Sequence, residues 1–410
     1  MTKTSVFLAL LGGTSLAAAA LAQPGQSGGT ATYWMSAETA SGMAAMAGMS
    51  GAGQPPSRGS IIGGLLTGRG PSRPSASNPG YVHNLRLDLG SPRRPAGAPA
   101  ADHFIPAGLN AGPSLPLVSP EPGGAIVRPS PTPGQGDGAV NGRILIYWGC
   151  GEHARPGQPY EIDLARLGAG QVPPAMAALA LRPMQPPSQA NSATFGEWPN
   201  PRSRTTIPAS GSLVGAHSIR GNYSPDINFT LAPGQDFLAP IVLTANTRAR
   251  SGAGPLAWNP VANAQGYLLM AFGSAENNTM VMWSSSEVQF SQMGAFDYLA
   301  PEEAARLVRQ RVLLDPATTQ CTVPAEVAGR VQAASLMMTA FGPEANFSYP
   351  ARPARAPRGW APDWTVKLRT RSAYMGLLGQ DMEAMMRGES QPQQEQPRRR
   401  RNPLGRIFGQ

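Results

Sequence analysis

The chain has 410 residues, 48 of them glycine and 43 proline, and a formal net charge of +9. Of its lysines and arginines only Lys3 and Lys367 are lysine, the bias of a GC-rich bacterial coding sequence. The charge is thinly spread along the body of the chain, which argues against nucleic-acid binding, where cations gather on one face or stripe.

Residues 1–22 read as a cleavable secretory signal peptide. Lys3 supplies the positive start, an apolar stretch runs over 6–21, and Ala20-Leu21-Ala22 has the small-x-small pattern of a cleavage site. Gly12, Gly13, Thr14 and Ser15 interrupt the apolar run, whereas a spanning helix needs about 20 continuous apolar residues. No later stretch is long and apolar enough to span as a helix. The expectation is a periplasmic or secreted protein, cut near Ala22, with no transmembrane span. In an oxidising compartment a cysteine pair is more often bridged than free, so Cys150 and Cys321 are the expected disulfide.

Residues 23–77 are Gly, Ala, Ser, Pro and Met in irregular order, and low complexity predicts that they are mostly disordered. The only strand candidate there is 30–35, and the small residues of 40–53 offer little apolar surface to offset ordering entropy. Gly25-Gln26-Ser27-Gly28-Gly29 matches the G-x-S-x-G nucleophile pattern but has no strand before it, which that chemistry needs. Over 82–90, Leu85, Leu87 and Leu89 alternate with Arg86 and Asp88, the period of a half-buried strand. Residues 92–142 read as a Pro/Gly-rich loop. Further strand candidates are 144–148, 160–164, 177–181, 193–198, 213–219, 227–231 and 237–243. Short strands separated by Pro/Gly/Asn/Ser turns point to an antiparallel sandwich or barrel. Cys150, Glu152 and His153 offer half of a zinc site, but no second pair has comparable spacing, so no metal is expected.

The segment from Leu256 to Met270 places Trp258 before a Pro260-Val261-x-x-Ala264 turn and Tyr267 after it. It resembles the first strand pair of a fibronectin type III domain. That resemblance implies that Trp258 and Tyr267 fill a core between two sheets, in a module that binds or spaces and has no catalytic residues. Residues 279–284 and 331–341 supply later strands. The pattern departs from the family over 301–314, which reads as a helix with Pro301 at its first position and Glu302 and Glu303 in its positive first turn. Three aromatic-Gly pairs, Trp148-Gly149, Phe272-Gly273 and Phe341-Gly342, raise the reading of duplicated units beside the simpler one of strand ends. The expected fold is mainly β: tandem antiparallel β-sandwich units of immunoglobulin/fibronectin-like type, at 78–250 and 251–350, with a short helical insertion.

The C-terminal part begins with a proline-arginine connector at 350–362. Trp364, Val366, Leu368 and Thr370 then alternate with Thr365, Lys367, Arg369 and Arg371, giving a strand with one apolar and one basic face. Tyr374, Leu377, Leu378, Met382 and Met385 follow at helical spacing, so 351–387 reads as basic strand plus C-terminal helix and 388–410 as a disordered basic tail. Lys367, Arg369 and Arg371 would project from one face about 6.7 Å apart, with Trp360 and Trp364 nearby. They are the candidate binding residues, suited to anionic envelope polysaccharide, lipid headgroups or another envelope protein; a solvated edge face is the simpler alternative. Glu152, Glu161, Asp163, Asp226 and Glu276 sit at expected strand edges, and the sequence places no two of them across a cleft. Asp381 and Glu383, two apart on the expected last helix, would point to different faces. The expected function is an exported, envelope-associated, non-enzymatic binding or structural protein without a cofactor. A hydrolase acting on cell-wall or extracellular glycans is the alternative.

Overall fold

The computed structural model describes residues 29–45, 80–120, 142–165, 184–289, 297–331 and 333–380, and these are mainly β. The signal segment 1–22, the serine of the G-x-S-x-G pattern, the strand candidate 177–181, the pair Asp381 and Glu383, and the tail 388–410 lie outside the described residues.

Nine strands form one sheet, in the order β6 (Tyr160–Asp163), β5 (Arg143–Trp148), β13 (Thr279–Ser284), β12 (Gly266–Ala275), β15 (Ser335–Tyr349), β16 (Trp364–Leu377), β1 (Ala31–Gly42), β2 (Tyr81–Ser91) and β7 (Thr194–Trp198). The β5/β13 and β1/β16 pairs are parallel and the rest antiparallel. A four-stranded sheet, β4 (Ser114–Leu117), β3 (Ala101–Phe104), β8 (Gly215–Gly221) and β9 (Ile227–Leu231), shares a core with the β16–β1–β2–β7 half of the large sheet. A three-stranded sheet, β10 (Leu243–Asn246), β11 (Gly254–Trp258) and β14 (Gln320–Val323), shares one with the β5–β13–β12–β15 half. On the opposite face, α1 (Pro301–Arg309) packs Ala304 and Leu307 against Leu268, Met270 and Phe341.

Alternation decides which face each side chain takes. Tyr33, Met35 and Ala37 of β1 point inward with Leu85, Leu87 and Leu89 of β2 and Val366 and Leu368 of β16. Each fully buried Leu or Val side chain contributes about 1.5–3 kcal/mol, so this inner face fixes the register. It also holds one polar chain. His217 Nε2 lies 2.7 Å from the Leu213 carbonyl, which can only accept, so that nitrogen carries the proton. His217 Nδ1 therefore accepts from His103 Nε2 at 2.9 Å, and His103 Nδ1 accepts from the Tyr33 hydroxyl at 2.8 Å. Both rings are neutral in this arrangement. Burial lowers the His103 pKa well below its ordinary value, with His217 adding to the effect, and burial lowers His217 too.

Several expectations are corrected. The large sheet takes strands from both expected sandwich units and from the C-terminal part, so a boundary near 250 separates no sheets. β11 and β12 lie in different sheets rather than forming a pair, although Trp258 and Tyr267 meet edge to face across the core with ring centroids 5.5 Å apart. Gly149 follows the end of β5, Gly273 lies inside β12 and Gly342 lies at a bulge in β15, so the aromatic-Gly echo marks no repeated unit. The strand candidate 30–35 belongs to β1, which runs on to Gly42 through residues expected to be disordered. That strand is paired on both sides, to β16 and β2, and small residues such as Ala37 and Ala40 fit where both faces are covered. The long loop expected at 92–142 contains β3 and β4. The expected C-terminal helix is absent over its first part: Tyr374 and Leu377 continue β16, held between the backbones of β15 and β1. Gly42, at φ 63°, lets β1 end against this strand, because a side chain there would meet the Met375 carbonyl at 2.3 Å. Met382 and Met385 lie outside the described residues.

Candidate functional site

On the outer face of the large sheet, β16, β1 and β2 set side chains in three rows: Lys367–Trp34–Asp88, Arg369–Ser36–Arg86 and Arg371–Glu38–Asn84. The three cations of β16 do share one face, as their spacing predicts. They are not free, and this corrects the expected binding surface. Lys367 is paired with Glu344 and stands 5.5 Å from the Trp34 ring centre. Glu344 reaches this face through the bulge after Phe341. Gly342 makes it possible, since a side chain there would come within 2.2 Å of Thr370 Oγ1. Arg369, 6% exposed, lies with its guanidinium 4.9 Å from the Trp34 ring centre and 4.3 Å from that of Tyr298, and donates to Ser36 Oγ at 2.7 Å. Arg371 is held by Glu38 and Asp297 and lies 4.5 Å from Tyr298. Burial opposes the charge on Arg371, but Glu38 and Asp297 outweigh it and raise its pKa; at Arg369 burial prevails and the pKa is lowered. Cations so enclosed cross-link the sheet to the segment before α1.

The aromatic partners are corrected as well. Trp364 points to the inner core with Val366 and Leu368, away from the basic row, and its ring stacks with that of Tyr349 at 6.0 Å. Trp360 lies outside β16, in the connection from β15.

Among the carboxylates weighed for acid–base work, Glu161 pairs with Arg143 across β5 and β6 at 3.4 Å. A carboxylate pair that periodicity did not single out faces outward from β2 and β7. Asp88 and Glu197 are cross-strand neighbours, and Arg86 reaches both at 3.0 Å. Burial raises the Glu197 pKa, Arg86 opposes that, and Asp88 adds to it. One guanidinium engages both oxygens' charges, the arrangement of an internal ion pair. Cys150 is bridged to Cys321, with Cα atoms 5.3 Å apart, which ties the turn after β5 to β14. His153 next to it meets Glu326 at 3.1 Å, and Glu326 also accepts from the Ala154 backbone at 2.8 Å. The described residues contain no group of three or more His, Cys, Asp or Glu that could hold a metal, and no helix long and apolar enough to cross a membrane.

An open surface lies at one end of the large sheet, where β1 and β16 begin and β15 ends. Residues 350–363 join β15 to β16 there and carry exposed Arg352, Arg355 and Arg358. Arg352 lies 5.8 Å from the Trp360 ring centre, while Arg355 and Arg358 have no polar or ring partner among the described residues. The loop is anchored rather than loose at its base. Asp363 N donates to the Tyr349 carbonyl at 2.7 Å, Ala31 N to that of Asp363 at 2.9 Å, and Thr30 Oγ1 to that of Pro362 at 2.8 Å. Tyr349, 59% exposed, stands at the same corner.

Beside Thr30 and Thr32 opens a pocket of about 480 Å³, whose polar lining is Thr30, Thr32, Ser91, Gln185, Asn191 and Ser192. It sits where residues 185–193 cross over Gly90, whose missing side chain would meet Ser192 Oγ at 2.4 Å and Pro187 Cβ at 2.8 Å. Among the described residues no charged side chain lines it.

The loop arginines belong to the proline-arginine connector, which the periodicity of strands and helices does not single out. A signal was present: Pro350, Pro353, Pro357 and Pro362 have no backbone N–H to join a sheet, so the arginines among them are poorly placed to be set opposite carboxylates by cross-strand pairing. No family model, curated protein or solved structure matches this chain.

Proposed function

We propose that this chain is an exported, envelope-associated binding protein without catalytic function, and that it contacts an anionic envelope polymer through the 350–363 loop. The observation that carries the reading is the set of exposed cations Arg352, Arg355 and Arg358 on a loop whose base is hydrogen-bonded to β1. A cation near an anionic surface gains about 1 kcal/mol at physiological salt. Three acting together give about 3 kcal/mol, roughly a hundredfold in affinity. Trp360 and Tyr349 add aromatic surface beside the charge. Export through the segment 1–22 supplies the compartment in which such polymers occur.

The test is fractionation of cells expressing the full-length chain. The wild type is expected in the envelope fraction with its N-terminus at Gln23, released by about 1 M salt, where the screening length falls to about 3 Å. Replacing Arg352, Arg355 and Arg358 together by Ser should move it to the soluble fraction. Retention of that variant on the envelope would overturn the reading.

A further inference from the structure

The pocket beside the arginine loop differs from it in chemistry. Its polar groups are hydroxyls and amides, with Pro92 and Pro187 contributing apolar ring faces. Its volume of about 480 Å³ is within the roughly 300–1,000 Å³ of small-molecule sites. Some of its polar capacity is already used. Thr30 Oγ1 donates to the Pro362 carbonyl at 2.8 Å, Ser91 Oγ to the Tyr223 carbonyl, and Ser192 Oγ to Asn191 Oδ1 at 3.1 Å. What is left is a particular set. Among the described residues Thr32 and the Gln185 amide have no side-chain partner, and Thr30 and Ser192 keep acceptor lone pairs. This set offers donors and acceptors in mixture and no charge, which suits a group that is itself both donor and acceptor: an array of sugar hydroxyls. An anion placed here would find no cation, and an alkyl chain would strand the hydroxyls and amide without partners, at about 1–3 kcal/mol for each group left buried.

Position adds the second half of the argument. Thr30, a pocket wall, is hydrogen-bonded to Pro362, and the adjoining Ala31 to Asp363, so the pocket and the arginine loop share a base. A polymer seated in the pocket thus lies at the strand end to which the arginine loop is tied. We infer that the pocket binds an uncharged saccharide unit of an acidic polysaccharide whose charged units lie against Arg352, Arg355 and Arg358. This rests on the loop reading above and names the polymer class: a mixed acidic and neutral glycan, in preference to a polyphosphate, a uniformly charged glycan or a lipid surface.

The experiment compares purified full-length protein against four probes at fixed low salt. They are hyaluronan, in which acidic and uncharged sugar units alternate; polygalacturonate, in which every unit is charged; inorganic polyphosphate; and vesicles containing phosphatidylglycerol. The expected result is at least tenfold tighter binding to hyaluronan than to the other three. Thr32→Val removes a hydroxyl at constant shape, and Ala193→Trp fills the pocket from an exposed position. Either should erase that preference while leaving the polyphosphate affinity within about twofold, which also shows that the variant is folded. Equal binding of all four probes, unchanged by the pocket variants but lost in the triple Arg→Ser variant, would overturn the saccharide assignment and leave the loop reading standing. Binding of none of the four, or binding unaffected by the triple variant, would remove the loop reading and this inference with it.

Discussion

Two arginine-rich regions lie next to each other in this chain, and the structure uses them in opposite ways. On β16, Lys367, Arg369 and Arg371 are placed by strand register opposite Trp34, Ser36 and Glu38 of β1. Each has its charge met inside the protein by a carboxylate, an aromatic face or both. In the 350–363 loop, Arg352, Arg355 and Arg358 are separated by prolines, belong to no ladder and stay in solvent. Both regions carry three cations, all arginine but Lys367. What differs is whether the backbone around the cation can pair, because pairing is what brings a neighbour's carboxylate or ring within reach. A basic alternation in a sequence is therefore weaker evidence for a binding surface than a basic stretch that cannot become a strand.

The comparison breaks most easily at Glu38. This carboxylate pairs with Arg371 and also accepts from Asn84 Nδ2 at 3.0 Å. Glu38→Ala leaves the guanidinium enclosed with Asp297 and the Tyr298 ring as its remaining partners. Breaking a buried pair by removing one partner costs about 3–5 kcal/mol, and the surviving contact to Asp297 places the expected loss near about 3 kcal/mol. Urea unfolding of the variant against wild type measures it. A loss below about 0.5 kcal/mol, the range of ordinary surface changes, would mean that the β16 cations are no more structural than those of the loop.

Acid should act on the inner face of the same strands. His103 is enclosed and neutral, donating to His217 and accepting from Tyr33, and its pKa in the folded chain is well below the ordinary value. As pH falls through about 6.5 the unfolded chain takes up a proton that the folded chain refuses, so stability is full above that pH and declines below it. The slope from His103 is at most about 1.4 kcal/mol per pH unit, with His217 acting in the same direction. Unfolding midpoints flat above pH 6.5 and falling below it are expected. Midpoints that rise on acidification would contradict the neutral chain of hydrogen bonds.

The parts of this fold that could be read from sequence are those whose apolar residues alternate or run together. β2, β9 and β13 show their alternation or a continuous apolar run, and their expected limits lie within a residue of those observed. Beyond Met35, β1 defeated the same reasoning because its residues there are largely small or polar, so neither alternation nor bulk marks them. The end of β16 misled because Tyr374, Leu377 and Leu378 match a helical period by coincidence, while the strand is held by pairing on both sides that no local pattern reveals. The same limit applies to the site. The basic face of β16 was legible, but its carboxylates and rings come from β1, β15 and the segment before α1, far away in sequence. The pocket joins residues near 30, 90 and 190, a convergence that only long-range strand order creates.

The smallest effect is expected where the comparison predicts almost none. Replacing Arg352, Arg355 and Arg358 together by Ser removes one exposed cation–π contact, that of Arg352 with Trp360, and no ion pair or hydrogen bond among the described residues. An exposed contact of that kind is worth about 0.5–1 kcal/mol, and lost loop cations otherwise leave stability within about 0.5 kcal/mol. The hydrogen bonds at the loop base come from backbone groups and Thr30, which the substitutions do not touch. The urea midpoint of the triple variant should therefore match wild type closely, while the proposed salt-sensitive attachment to polyanions should be lost. If this variant instead loses as much stability as Glu38→Ala, the loop cations are structural after all. Loss of binding would then report a displaced loop rather than a missing charge, and single Arg→Lys replacements would be needed to restore both stability and binding before any role in recognition could be assigned to them.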